Sequence, residues 1–360
     1  MIDWDLAVAT GERLARSGPQ VSLAEARQAV AELRTLSVRA ERHVREFTRL
    51  DGGGPPDQAA VVDRPGWIKA NVEGFRVVFE PLASRMAKRQ SSGPGGSIVT
   101  AVGSRFTGVQ VGAILAYMSA RVLGQYELFL PPDPDGRAST GRLTLVAPNI
   151  VHAERELDVD PHDFRLWVCL HEETHRVQFT AVPWLRAHVQ DQITEFLLAS
   201  DIGLPELFDR FKQTADAVAD AVRGGESSLI EAIQTPEQKE ILDRITAVMT
   251  LVEGHGDYVM DGVGPDVVPS VEVIRSRFQK RREGAGRVDQ MIRRVLGLDL
   301  KMKQYEQGAA FVRTVVEQAG MDAFNKVWTS PNTLPTRAEI ENPQSWISRV
   351  VGTTPPAVES

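Results

Sequence analysis

Helix-period patterning dominates this chain and leaves little of it to a sheet. Apolar residues recur at helical spacing through "VSLAEARQAVAELRTLSVRAERHVREFTRL", residues 21–50. Ser22 and Glu25 make a capping box at its start, so the segment reads as a long amphipathic helix. It stops at "DGGGPPD", and "VVDRPGWIKAN" follows as a short extended or turn segment. In "FTGVQVGAILAYMSARVLG", Gly108, Gly112, Ala116 and Ala120 recur every fourth residue. They form a smooth ridge for close packing, which marks a core helix. "QYELFLP" and "RLTLVAP", joined by the turn-rich "PDPDGRASTG", are the clearest strand signals. Beyond residue 160 the pattern is mostly helical, including helices near 184–200 and from Thr235, where Pro236 and a Thr235/Gln238 capping box mark the start. The expected class is α+β, mostly α, with a small sheet or hairpin.

"SSGPGGS" at 91–97 is the best place for a boundary. It separates a helical N-terminal region over 1–90 from a second unit over 98–350, with a disordered tail at 351–360. The formal charge of −7 and the absence of a dominant basic block argue against nucleic acid as a partner. No apolar run reaches the roughly 20 residues a bilayer crossing needs. The start of the chain lacks the pattern of a secretory signal. The single cysteine, Cys169, excludes a disulfide framework and suits a cytoplasmic setting.

Chemistry concentrates in "CLHEETHRVQF", residues 169–179. Asp160 can cap this helix, and Pro161 suits its first position. Residues four apart lie about 40° from one another around a helix, so His171 and His175 can face one ion. Glu172 is about 100° further round from His171, near enough to reach a ligand of that ion without binding it. H-E-x-x-H divides labour in this way: two neutral nitrogen ligands for zinc, and a carboxylate that takes a proton from metal-bound water. The competing reading is an ordinary helix with two hydrogen-bonded histidines and a solvated glutamate. Phe164, Trp167 and Val168 share the stripe with His171, so the site should be buried upstream and open at one end.

Zinc calls for a third protein ligand. "VEGHGDYVMD" offers Glu253 and, as the alternative, His255. The two point about 200° apart on a regular helix, so they cannot easily serve the same ion. Glu253 is favoured, with Asp257 one turn on as the acceptor that orients His171. Gly254 and Gly256 would let this helix come close to the motif helix. Tyr258, Tyr305 and the arginines of the basic run Arg275, Arg277, Lys280, Arg281, Arg282 and Arg287 could supply an oxyanion donor.

"HEETH" with "EGHGD" resembles the gluzincin pattern, in which Glu from an E-x-x-x-D helix completes H-E-x-x-H. That resemblance implies His171, His175 and Glu253 as metal ligands, Glu172 as base and Asp257 as the partner of His171. Glu253 lies 78 positions after His175, far longer than the interval in thermolysin-like enzymes, so additional helices must intervene. More of the chain is similar to zincin-like hydrolases associated with deazaflavin-cofactor biosynthesis. The likeness runs from "IDWDLAVATGERLARSGP" through "VVDRPGWIKAN", "HEETHRVQF" and "EGHGDYVMD" to "KMKQYEQGAAFV". It implies a cytoplasmic, largely helical zincin-like protein with a zinc site; the 98–350 unit is then expected to be the zincin-like catalytic domain, with the 1–90 region packed on it.

The leading expectation is therefore a zinc-dependent hydrolase, a metallopeptidase acting on a peptide or small-molecule amide, with Glu172 as general base. A zinc-stabilised scaffold that binds a partner and catalyses nothing is the alternative. Anion recognition by the basic run is a third.

Overall fold

The computed structural model describes residues 2–54, 57–90, 96–131, 141–199, 236–283 and 298–352. "RGGESS", "GAGR", Thr235 with its cap, most of "SSGPGGS", all but Gly141 of "PDPDGRASTG" and most of the tail lie outside these residues. The long helices are α1 (Trp4–Leu14), α2 (Leu23–Thr48), α3 (Arg64–Gln90), α4 (Gly96–Ser119), α5 (Ala147–Leu157), α6 (Pro161–Ala181), α7 (Pro183–Ala199), α8 (Pro236–Gly262), α9 (Val271–Glu283) and α10 (Leu298–Ala319). Short helical turns follow from 321 to 351. The architecture is mostly α with one small sheet, as the patterning predicts.

That sheet has three strands, β1 (Ala60–Val62), β2 (Gly124–Glu127) and β3 (Arg142–Val146), in the order β1-β3-β2. β2 runs antiparallel to β3, and β1 runs parallel to it with Ala60 opposite Thr144. "QYELFLP" thus pairs only as far as Glu127, opposite Arg142. The buried Glu127 carboxylate is held by the Thr144 hydroxyl at 2.6 Å and by Arg142 at 2.7 Å.

"VVDRPGWIKAN" differs from its sequence reading. Only its first residues are extended, and helix α3 begins at Arg64. Asp63 works as the cap: its Oδ1 accepts from the Gly66 amide at 2.8 Å and its carbonyl from the Trp67 amide at 3.0 Å. Pro65 falls in the first turn, where a missing N–H leaves no bond unmade. Trp67, Ile68 and Val72 of this helix form a small core with Ala7, Val111, Leu115 and Val146.

Elsewhere local signals and structure agree. Ser22 and Glu25 make both bonds of the capping box of α2. The small-residue ridge of α4 packs on α1: a Cβ at Gly108 or Gly112 would collide with the backbone carbonyl of Asp3 or Ala7. α6 lies in the main core, with α2 on one side through Leu33 and Cys169 and α8 on the other through Gln178 and Val252. Among the described residues no helix is long and apolar enough to cross a membrane.

Candidate metal centre

Helix α6 is anchored at its start. Asp160 accepts from the Asp163 amide at 3.0 Å, and Pro161 occupies the first turn. Phe164, Leu166, Trp167 and Leu170 are all buried, which sets the rotation of the helix and aims His171 and His175 at α8. α8 comes close because Gly256 has no side chain. A Cβ there would lie 3.1–3.3 Å from ring atoms of both histidines, tighter than ordinary contact. Gly254 serves a different neighbour from the one expected of it. It faces Gly308 of α10, where an added Cβ would collide with backbone.

The side chains that meet are His171, His175 and Glu253. His171 Nε2 and His175 Nε2 are 3.2 Å apart, and each is 3.6 Å from Glu253 Oε2. A tetrahedral ion with bonds of about 2.0–2.1 Å has ligand-to-ligand edges of roughly 3.3–3.4 Å, so the triangle has the size zinc requires. Two imidazole nitrogens and a carboxylate are also a donor set that zinc takes. The side chains of His171, His175 and Glu253 keep 21%, 10% and 17% of their exposure, so solvent reaches the cluster. The upstream end is sealed by Phe164, Trp167 and Val168.

Electrostatics favour a positive charge here. Burial disfavours a protonated His171, yet Glu253, Asp257 and Glu172 together raise its pKa to about 9. Burial likewise opposes ionisation of Glu253, but its contacts to His171 and His175 hold the carboxyl well below the usual range. Asp257 Oδ1 stands 3.5 Å from His171 Nδ1, an ion-pair contact longer than a hydrogen bond.

Glu172 is buried rather than solvated. Burial pushes its carboxyl up, against the pull of the two histidines. Gly124, at the start of β2, makes room for it: a Cβ there would sit 2.6 Å from the Glu172 carboxyl carbon. The reading of Glu172 as a surface residue beside two satisfied histidines does not describe this geometry.

His255 stays apart. It is fully buried, with its ring against Phe324 and Trp328 at 5.2 and 5.6 Å. Its Nδ1 accepts from Gln178 Nε2 at 2.9 Å. Burial, with His175 nearby, drives its pKa down to about 3, so it is a neutral core histidine. Tyr258 packs on Phe47 of α2, with ring centroids 5.9 Å apart. The basic run is engaged as well: Arg275 with Asp261 at 2.6 Å, Arg277 with the Leu157 carbonyl at 2.8 Å, and Arg281 with Glu156 at 2.9 Å. These contacts tie α9 to α5 and α8. The side chains of Arg282 and Tyr305, and all of Arg287, lie outside the described residues.

Two neighbours of the cluster escape sequence reading. Gly124 carries no signal beyond a glycine at the head of a strand. Gln178 has a faint one, as a polar residue three positions after His175 on a buried stripe. Its Oε1 lies 3.0 Å from His175 Nδ1.

A mostly helical fold carrying H-E-x-x-H on one helix and a facing glutamate on another defines a zincin-type protein. The comparisons give the same class. The model of the zincin-like metallopeptidase family matches residues 2–347, and the chain belongs to that family. It is also similar to a solved structure from Chloroflexus aurantiacus described as "a putative hydrolase with a novel fold". The two are 32% identical with a TM-score of 0.69, over 98% of this chain and 100% of the other. No curated protein matches.

Proposed function

We propose that this chain is a zinc-dependent hydrolase acting as a metallopeptidase on a peptide or small-molecule amide, with Glu172 as its general base. The observation that carries the reading is the convergence of His171 Nε2, His175 Nε2 and Glu253 Oε2 within 3.6 Å of one another, with the buried Glu172 beside them. Zinc held by these three residues would supply a Lewis acid and lower the pKa of water to about 7.

The rest of the chemistry belongs to the chain. Glu172 accepts the proton of the attacking water and returns it to the leaving amine, a role suited to a carboxyl whose pKa burial has raised. Gly124 keeps the space in which that carboxyl sits. Asp257 faces the outer nitrogen of His171, and Gly256 keeps α8 against both rings. A purely structural zinc has no need of a base held in this way, which favours catalysis over a silent scaffold. The one cysteine, Cys169, is buried and unpaired, which fits a cytoplasmic setting.

The test is to profile the zinc-loaded protein against a diverse peptide mixture, with Glu172→Gln as the control. Cleavage by the parent and its loss in a variant that still binds zinc supports the reading. Equal cleavage by both proteins refutes the base, and no cleavage by loaded parent protein leaves the scaffold.

A further inference from the structure

We infer that Gln178 is a positioning residue that sets the tautomer of His175, so that the Nε2 lone pair faces His171 and Glu253. The inference rests on the metal reading above and adds a device to it. Gln178 is fully buried, and its side-chain amide meets three groups. Nε2 is 2.9 Å from the Val252 carbonyl oxygen and 2.9 Å from His255 Nδ1, while Oε1 is 3.0 Å from His175 Nδ1.

The orientation of a side-chain amide is decided by its neighbours. A backbone carbonyl can only accept, so the Gln178 NH2 group must face Val252. Turning the amide over would set two oxygens against each other in a fully buried place. With the nitrogen committed to Val252 and His255, the oxygen is left for His175 Nδ1. That nitrogen must then carry the hydrogen and donate it. Nε2 is left with its lone pair, the form a metal ligand needs, because the proton on one ring nitrogen is fixed by the hydrogen bond it makes.

The origin of the signal is informative. Val252 immediately precedes Glu253, so the helix that presents the carboxylate also dictates the protonation pattern of a histidine on the facing helix. His255, which H-E-x-x-H logic offers as a rival ligand, instead anchors the amide. Its Nδ1 takes the second N–H of Gln178, and Phe324 and Trp328 wall in its ring.

The experiment uses the full chain and two substitutions. Gln178→Met keeps the volume and removes the acceptor; Gln178→Glu keeps an acceptor for His175 but loses the N–H groups given to Val252 and His255. Nitrogen-15 imidazole spectra of the metal-free proteins, followed across a pH series, read the tautomer of the neutral ring directly. Competition with a chromophoric chelator reads zinc affinity, and circular dichroism checks folding. The parent should show His175 protonated at Nδ1. Gln178→Met should populate the Nε2–H form and bind zinc about 10- to 100-fold more weakly, the usual size of an outer-shell loss. Gln178→Glu should keep the Nδ1–H form and bind zinc more tightly than Gln178→Met, with a lower melting temperature than the parent because its second oxygen faces the Val252 carbonyl. An Nε2–H tautomer in the parent overturns the proposal without recourse to any variant. So does a Gln178→Met protein whose tautomer or zinc affinity is unchanged. A parent that binds no zinc defeats the metal reading instead, while the spectra still decide the tautomer.

Discussion

Helix α6 carries two buried polar clusters on different faces, and they solve the same problem in opposite ways. On one face Glu173 and Arg176 meet Glu41 and Arg45 of α2 and the loop at Asp57. Arg176 is 3.2 Å from Glu41 and 3.3 Å from Glu173, and Arg45 is 2.5 Å from Glu41. A polar cavity of about 180 Å³ adjoins this face, lined by Arg45, Arg142 and Arg176 among others. All three guanidinium groups already have carboxylate partners. On the other face, among the described residues, Glu253 meets only imidazoles in its ion pairs, with Glu172 and Asp257 adding acidic charge. A buried carboxylate needs a cation or must take up a proton. The first cluster builds it from guanidinium groups that carry their own hydrogens. The second brings together three groups whose lone pairs can converge on one point, where a protonated His171 or a bound metal ion provides the charge. Burial of polar groups alone therefore does not distinguish a structural network from a ligand site; the balance of donors against acceptors does.

That contrast can be broken or sharpened by experiment. The largest effect belongs to Glu253→Ala, which should weaken zinc binding beyond the roughly 10- to 100-fold of an outer-shell change. Zinc should then no longer raise the melting temperature, as measured by calorimetry with and without metal. Next is Arg176→Met, which leaves Glu173 without its guanidinium and Glu41 with Arg45 alone, and should cost about 3–5 kcal/mol in urea denaturation. Zinc affinity should be unaltered in the folded fraction; loss of metal would show that the two faces are one network. Replacing Glu173 by Leu as well should recover most of that stability, because a buried pair exchanged whole for apolar groups is close to neutral.

Gly124→Ala is smaller and more selective. Its Cβ would displace the Glu172 carboxyl, so turnover should fall roughly ten- to a hundredfold through misplacement while zinc binding holds. Equal activity would mean that Glu172 works from another position. Smallest is Gly256→Ala, whose Cβ needs only a few tenths of an ångström of relief from the two imidazoles. Zinc affinity measured by chelator competition should drop by about three- to tenfold, at or below the lower end of outer-shell effects.

Legibility in the sequence followed range. Ser22 with Glu25, Asp160 with Pro161, and the α4 ridge are contacts among near neighbours or small residues at one period, and each was readable. So were His171, Glu172 and His175, whose spacing is itself the signal. The helix at Arg64 is not legible because "DRPG" suits a turn as well as a capped first turn, and the buried faces of Trp67 and Ile68 decide between them. The pairing of β1 with β3 joins residues more than eighty positions apart, and no local pattern records it. Gly254 and Gly256 look alike in sequence, yet one meets α10 and the other meets the histidines.

The chain by itself determined that α2, α4 and α6 are helical, where α2 and α6 begin, and that two imidazoles and a glutamate lie within two turns of α6, since hydrogen bonds and side-chain periodicity act over three or four residues. Only tertiary structure decided that Glu253 rather than His255 reaches them, that Gln178 orients His175 and that Gly124 shelters Glu172. Those encounters depend on the rotation and spacing at which α6, α8 and β2 pack, and packing is settled by the shape of the whole core.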